Sequence, residues 1–297
     1  MRIIISVITL DVSGTPTYTL ALYNELISYG YDVLIYSPVS GEMAQDMKTV
    51  TSLDHIRTPD IILAQHKTCA ENLKKNFPDV PIIFLAHGTL PDEEQPPEME
   101  MDYYISVNEM IADHLIGKGV NPKKIKIVRD FIDIEKFKPT KPLSEKPKVL
   151  FISNYKKWRA YRHIQQACSQ LGLEFKAVGS PYRRSRNMAE TINNYDLIIS
   201  WGRGILEAMS CGRAVLSYNK QIGEGYITQD NYIEGRKYNF GGDGSRFTFT
   251  LEQLIEEIKK YNSKDGRVNR DLIIEHHNTM KCVNQIIGII SNFVKYE

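Results

Sequence analysis

With 297 residues, 42% of them hydrophobic and 25% charged, the chain is long enough for two modest domains, and its ordinary composition excludes intrinsic disorder and fibrous repeats. The formal net charge of +1 conceals an asymmetry: residues 1–140 hold 13 Lys and Arg against 20 Asp and Glu, and the remainder holds 24 against 16, so an anionic ligand is expected on the second half. Cys69, Cys168, Cys211 and Cys282 are scattered without paired spacing, which argues against a zinc site or a disulfide framework and fits a reducing cytoplasm. No apolar run approaches the roughly 18–20 residues needed to cross a bilayer, so no integral membrane segment is expected.

The opening MRIIISVITLDVSG lacks a long hydrophobic region and a small-residue cleavage site, and reads as a first strand from Arg2 to Leu10. The turn DVSGTP leads into TYTLALYNELISYG, where Leu20, Leu22, Leu26 and Ile27 fit a helical face ending at Gly30, and YDVLIYS follows as a second strand. This is a βαβ unit. Gly14 and Thr15 end its first strand, where open parallel sheets bind ligands and where glycine permits close approach to the backbone. DIILAQH, PIIFLAHG and DYYISV continue the alternation. The acidic, Pro-rich LPDEEQPPEMEMD reads as a solvated loop, and FIDIEKFKPTKPLSEKPK as an exposed connection between domains. KVLFIS starts a second series that runs through the helix HIQQACSQLG, the strand EFKAVG and late helices near Leu251–Tyr261 and Arg270–Val294. The expected fold class is α/β, with domains at 1–140 and 141–297 and the last helix able to pack back on the first.

The stretch DLIISWGRGILEAMSCGRAVLSY reads as strand, loop, helix and strand, with Gly212 stopping the helix. A helix opening on a Gly-Arg-Gly turn offers backbone N–H groups and a positive dipole end to a phosphate. Glu207 is nevertheless expected in its first turn. These residues carry a resemblance. SGTPTYTLALYNELISYGYDVLIYS is similar to the glycine turn and first helix of the GT-B glycosyltransferases, in particular the family-four-like (group 1) retaining enzymes. FLAHG resembles their His-Gly loop, IKIVRDFIDIEKFKP the segment closing their first domain, and GRGILEAMSCGRAV their donor-binding helix.

The resemblance implies two Rossmann-like domains with parallel sheets facing across a cleft, a nucleotide-sugar donor held mainly by the second, and an unidentified acceptor entering over the first. It implies that Glu207 takes the vicinal ribose hydroxyls, which suit the two oxygens of a carboxylate; the alternative is a glutamate that only favours the helix dipole. The family's first glutamate falls at Ile199, so backbone groups of Gly202, Gly204 and Ile205, or Arg203 itself, are expected to replace its contact to the transferred sugar. In FISNYKKWRAYRHIQQA, Arg159 matches the family's diphosphate-binding Lys and Asn154 its Arg, with Lys156 and Lys157 between them able to restore the lost charge or simply to form a solvated basic turn. His87 is implied to contact the transferred sugar, the alternative being a satisfied core histidine; His66 also ends a strand, with a weaker case. Arg183, Arg184 and Arg186 read as a solvated loop that is also the best nucleic-acid phosphate contact.

The implied activity is a cytoplasmic, metal-independent and retaining transfer with no cofactor beyond the donor, His87, Arg159 and Glu207 carrying the chemistry. A catalytically silent nucleotide-sugar binder and a nucleic-acid-modifying transferase are the alternatives.

Overall fold

The computed structural model describes residues 1–154, 158–179, 185, 187–219, 222–241 and 249–294. The chain divides into two compact units, Met1–Phe131 with Thr279–Glu297, and Ile132–Asn278. In the first, β1 (Arg2–Ser6), α1 (Gly14–Ser28), β2 (Asp32–Tyr36), β3 (Thr49–Val50), β4 (Ile61–Ala64), α2 (Lys67–Asn76), β5 (Ile82–Ala86), β6 (Tyr103–Ser106), α3 (Glu109–Gly117) and β7 (Ile125–Ile127) alternate as the sequence predicts. In the second, β8 (Val149–Ile152), α4 (Trp158–Gln170), β9 (Phe175–Val178), α5 (Met188–Asn193), β10 (Leu197–Ser200), α6 (Arg203–Ser210), β11 (Ala214–Asn219), β12 (Ile222–Tyr226), α7 (Gln229–Lys237), α8 (Leu251–Lys259) and α9 (Asp265–His276) follow. The final helix, α10 (Thr279–Ile290), belongs to the first unit.

Among the described residues the first unit carries a seven-stranded sheet ordered β3-β2-β1-β4-β5-β6-β7, parallel throughout. The second carries a five-stranded sheet ordered β12-β11-β10-β8-β9, parallel except for the edge strand β12. Both sheets are covered on both faces, which is why their central strands are continuous apolar runs. Ile3, Ile5, Leu63 and Ile83 face one cluster with Tyr18, Leu22 and Leu26 of α1 and Val283, Ile286 and Ile290 of α10, while Ile4, Ile62 and Phe84 face another with Cys69, Leu73 and Leu115. In the second unit Leu150, Ile198 and Val215 pack with α6, and Val149, Phe151, Ile199 and Leu216 with α4 and α8.

Several expected boundaries move. The first strand ends at Ser6, and Gly14 and Thr15 open α1 rather than closing β1. On α1 the buried stripe is Tyr18, Leu22 and Leu26, at intervals of four, whereas Ile27 is exposed. The expected helix from Arg270 to Val294 is two helices, broken at His277 and Asn278 where the chain passes between units. Gly212, at φ +65°, does end α6, and the Arg213 N–H closes on the Ala208 carbonyl at 3.0 Å.

The Pro- and Lys-rich segment is largely exposed, as expected, and is pinned along the second unit by backbone contacts. The Asp196 carboxylate accepts the N–H groups of Ser144 and Lys148, each at 2.8 Å, and Asn193 bonds Thr140 N–H at 2.9 Å and the Lys138 carbonyl at 3.0 Å. Arg213, 2% exposed, donates to the carbonyls of Cys211, Tyr195 and Lys141. A buried carboxylate with two N–H partners leaves both orphaned when removed. Asp196→Ala is therefore expected to cost about 3 kcal/mol, which corresponds to roughly 6–12 °C in Tm; a calorimetric scan checks this, and an unshifted Tm overturns the strap.

Candidate functional site

Each sheet has a strand from which the chain leaves in both directions: β1 lies between β2 and β4, and β8 between β9 and β10. At such switch points the flanking crossovers diverge and open a crevice outside the carboxyl ends of the strands. Asn154 and Gly202–Glu207 follow the two strands, β8 and β10, that flank the switch point of the second sheet, and Gly14 and Thr15 open the helix after β1 in the first.

In the second unit, β10 runs into Gly202, whose φ of +53° turns the chain into α6. Because α6 starts at Arg203, Glu207 stands in its second turn, not its first, which removes the helix-dipole explanation for it. Its partner is Arg203, one turn earlier on the same face. Arg203 Nε lies 3.3 Å from Glu207 Oε1, with side-chain exposures of 11% and 12%. The pair is thus largely withdrawn from water at the mouth of the switch point.

Gly204 is required by its surroundings. A Cβ there would lie 2.3 Å from Ser200 Oγ, which donates to the Ile152 carbonyl at 3.0 Å and so ties β10 to β8 across the crevice. Two of the backbone groups expected to face a ligand are already engaged: Gly202 N–H donates to the Phe240 carbonyl at 3.2 Å and Ile205 N–H to the Gly202 carbonyl at 3.0 Å. Ile199 is fully buried in the α4 and α8 cluster.

On the neighbouring strand, Asn154 follows β8 and is exposed, and Arg159 is exposed in the first turn of α4. The Arg159 charge acts on the Tyr218 phenol at the end of β11, whose pKa burial pushes up to about 12. Tyr218 Oη lies 3.4 Å from His163 Nδ1 on α4. Lys156, Lys157, Arg183, Arg184 and Arg186 lie outside the described residues.

In the first unit, His87 follows β5 half-buried, its ring edge-on to Tyr18 of α1 with centroids 4.5 Å apart; Tyr18 in turn packs at a tilt against Phe131 at 4.3 Å. Gly14 has a conventional φ, and a Cβ there would meet nothing within 4 Å, so the chain itself does not demand a glycine. Beneath α1, Gln65 Nε2 donates to the Ser6 carbonyl at 3.0 Å and to Thr19 Oγ1 at 2.8 Å, a buried network that joins β1, β4 and α1. Sequence reasoning missed Gln65, and its only signal was a polar residue at the end of an apolar run.

The acidic loop is not the solvated connection expected. Asp92–Glu94 form a 3-10 turn in which Glu93 accepts from Thr68 N–H at 3.1 Å and from the Thr68 hydroxyl, and Gln95 donates to the Thr89 carbonyl at 2.7 Å and contacts His114 Nε2 at 2.9 Å. Glu94 is drawn inward. Its side chain packs against Gly88, and burial raises its pKa above the usual carboxylate range.

Two α/β units with Rossmann-like sheets define the GT-B class of fold. Solved glycosyltransferase structures share that fold over nearly the whole chain. HepE from Anabaena, in complex with UDP and glucose, is similar at 13% identity and a TM-score of 0.68, covering 98% of this chain and 100% of that one. The sucrose-phosphate synthase of Thermosynechococcus elongatus matches at 11% identity and 0.69, covering 98% of each chain. The catalytic domain of starch synthase IV from Arabidopsis thaliana, bound to ADP and acarbose, matches at 12% identity and 0.64, covering 99% of each. No protein-family model and no curated protein sequence matches the chain.

The contact between Gly204 and Ser200 generates a test that needs no ligand. Gly204→Ala gains helix propensity but turns Ser200 Oγ away from Ile152, so it is expected to destabilise in the wild-type background and to cost less when Ser200 is already Ala, where only the Ser200 Cβ position, 3.2 Å away, still crowds it. A coupling of about 1 kcal/mol is expected from denaturant unfolding of the two single variants and the double variant; strict additivity overturns the packing argument.

Proposed function

We propose that the protein is a nucleotide-sugar-dependent glycosyltransferase, with the donor nucleotide bound at the β8/β10 switch point. The observation that carries this reading is the Gly202–Glu207 segment: a helix N-terminus beside a largely buried Arg203–Glu207 pair supplies cationic and N–H groups for a diphosphate and a carboxylate for a diol within two turns. Arg159, on the adjacent helix, adds a cation at the same end of the sheet. HepE in complex with UDP and glucose has the same fold, which makes UDP-glucose the first donor to test.

In this reading the bond from the anomeric carbon to the diphosphate oxygen breaks as the bond to the acceptor hydroxyl forms. Negative charge grows on the departing nucleoside diphosphate, and Arg159, Arg203 and the first N–H groups of α6 stabilise it without rearranging. Retention of configuration follows if the acceptor attacks from the leaving-group face, its proton passing to a donor phosphate oxygen. His87 holds the transferred sugar. The reaction is proposed to need neither metal nor cofactor, the cationic side chains doing the neutralising; EDTA is expected to leave the rate unchanged, and loss of turnover restored by a divalent ion overturns that part. A cytoplasmic location is consistent with four buried cysteines that form no disulfide, and no helix among the described residues is long and apolar enough to cross a membrane. A nucleic-acid acceptor rests on the basic balance of the second unit alone.

Ile199 favours a second reading. It is sunk among apolar side chains where the resembling family carries its first glutamate, and a protein that binds donor without turning it over fits that loss. Glu207→Gln separates the questions: donor affinity is expected to fall roughly 10- to 100-fold, the equivalent of about 1.5–3 kcal/mol for a charge-assisted hydrogen bond, with Tm in the absence of donor little changed. Calorimetric titration with UDP-glucose and a donor-hydrolysis assay on the wild type check this. Unaltered affinity removes Glu207 from the site, and binding without hydrolysis or transfer selects the silent binder.

A further inference from the structure

The start of α6 is held from outside its own helix. Gly202, at φ +53° and ψ −134°, is in a region that glycine alone enters readily, so no side chain fixes the turn and its direction depends on what binds its backbone. Its N–H donates to the Phe240 carbonyl at 3.2 Å. The same carbonyl lies 3.1 Å from Ser217 Oγ on β11, the residue paired across the sheet with Ser200 at the end of β10. The Ser217 hydroxyl carries one proton and has a second acceptor in the Glu224 carboxylate of β12, so the bond from Gly202 is the one without a competitor. One carbonyl thus ties the end of β10 to β11 at the point where α6 begins.

The turn that presents this carbonyl is the end of α7. Asn239 N–H donates to the Arg236 carbonyl at 3.1 Å and Phe240 N–H to the Gly235 carbonyl at 2.8 Å, the paired bonds of a Schellman cap. Such a cap requires one left-handed residue, and Asn239, at φ +51°, is of a type that supplies it. It does not require a second. Phe240 is nevertheless at φ +52°, which a bulky side chain adopts only at a cost. Its ring is fully buried, tilted against Tyr232 with centroids 5.7 Å apart, and shares a core cluster with Ile205 and Leu206 of α6. Gly235 makes room for it, since a Cβ there would stand 2.9 Å from Phe240 Cδ1. Through its ring Phe240 shares a core with α6, and through its carbonyl it holds the turn before that helix.

We propose that Phe240 is a positioning residue: the end of α7 holds it at positive φ, its carbonyl fixes the Gly202 N–H, and the direction in which α6 presents the Arg203–Glu207 pair follows from that bond. The proposal rests on the reading of that pair as the contact to the donor nucleotide. Phe240 acts through Gly202 without touching the donor, and its unfavourable φ is offset by burial of the ring.

The experiment measures amide hydrogen exchange at Gly202 and calorimetric affinity for UDP-glucose in Asn239→Val, Asn239→Gly and Gly235→Ala, with Tm recorded for each so that comparisons are made on folded protein. A β-branched valine opposes the left-handed conformation that glycine keeps, and the alanine crowds the Phe240 ring. Asn239→Val and Gly235→Ala are expected to speed Gly202 exchange and to weaken UDP-glucose binding, each roughly 5- to 10-fold for one lost hydrogen bond. Asn239→Gly, which keeps the turn, is expected to stay within about twofold of wild type in both. Asp196→Ala is the control for stability alone, because Asp196 precedes β10 whereas Gly202 follows it; it is expected to lower Tm and leave donor affinity unchanged. Unchanged Gly202 exchange in the two disruptive variants overturns the proposal, as does an Asn239→Gly variant as weak as Asn239→Val or an affinity loss in Asp196→Ala as large as theirs. If the wild type binds no UDP-glucose, the donor-site reading fails, and Gly202 exchange in the same variants still decides whether Phe240 holds the turn.

Discussion

Parallel strands can be joined only by crossovers, and in both sheets the crossovers leave a central strand in opposite directions. Everything of chemical interest depends on that constraint. Where helices diverge, the ends of the strands are left with backbone groups that no sheet neighbour can satisfy, and side chains from the next strand must do so. Ser200 Oγ on the Ile152 carbonyl and His66 Nδ1 on the Ile8 N–H are such bonds, one in each unit, each spanning the two strands that flank the crevice.

Acidic side chains do much of this work from within. Asp196 captures two N–H groups of the strap leading into β8, and Glu257 accepts Tyr226 N–H at 2.7 Å on the edge strand. A carboxylate suits the task because it accepts only and offers two oxygens, so it can hold two adjacent backbone donors that loops leave exposed. Glu207 differs in being matched with a cation on its own helix, so a ligand that takes its oxygens meets an Arg in the same step.

The basic excess of the second half overstates what is offered to an anion. Arg213 and Arg270 are turned inward onto carbonyls, Arg270 reaching Phe137 at 2.7 Å and Ser210 at 2.6 Å, and burial pulls both below the usual guanidinium range. Arg159 is the contrasting case, exposed at the head of α4. The guanidinium in the GRAV stretch is a structural clamp, although it directly follows the Gly212 that ends α6.

Strands, their order of alternation with helices and the glycine stops were legible because a doubly covered parallel sheet demands unbroken Val, Ile and Leu runs, and because Gly202 and Gly212 mark backbone turns at positive φ. The sequence by itself also marked the two loops that leave β5 at His87 and β10 at Gly202. What it could not decide were relations between residues far apart in the chain. Whether Glu94 is solvated or buried depends on His66 and Gly88 arriving beside it, and a run of acids and prolines reads the same either way. The break at His277 and Asn278, and the placement of α10 beside α1, likewise follow from apolar faces on α1 and β1 that are completed only when the chain returns to cover them. Local periodicity reports which face of an element is apolar; only the folded chain determines which partner buries it.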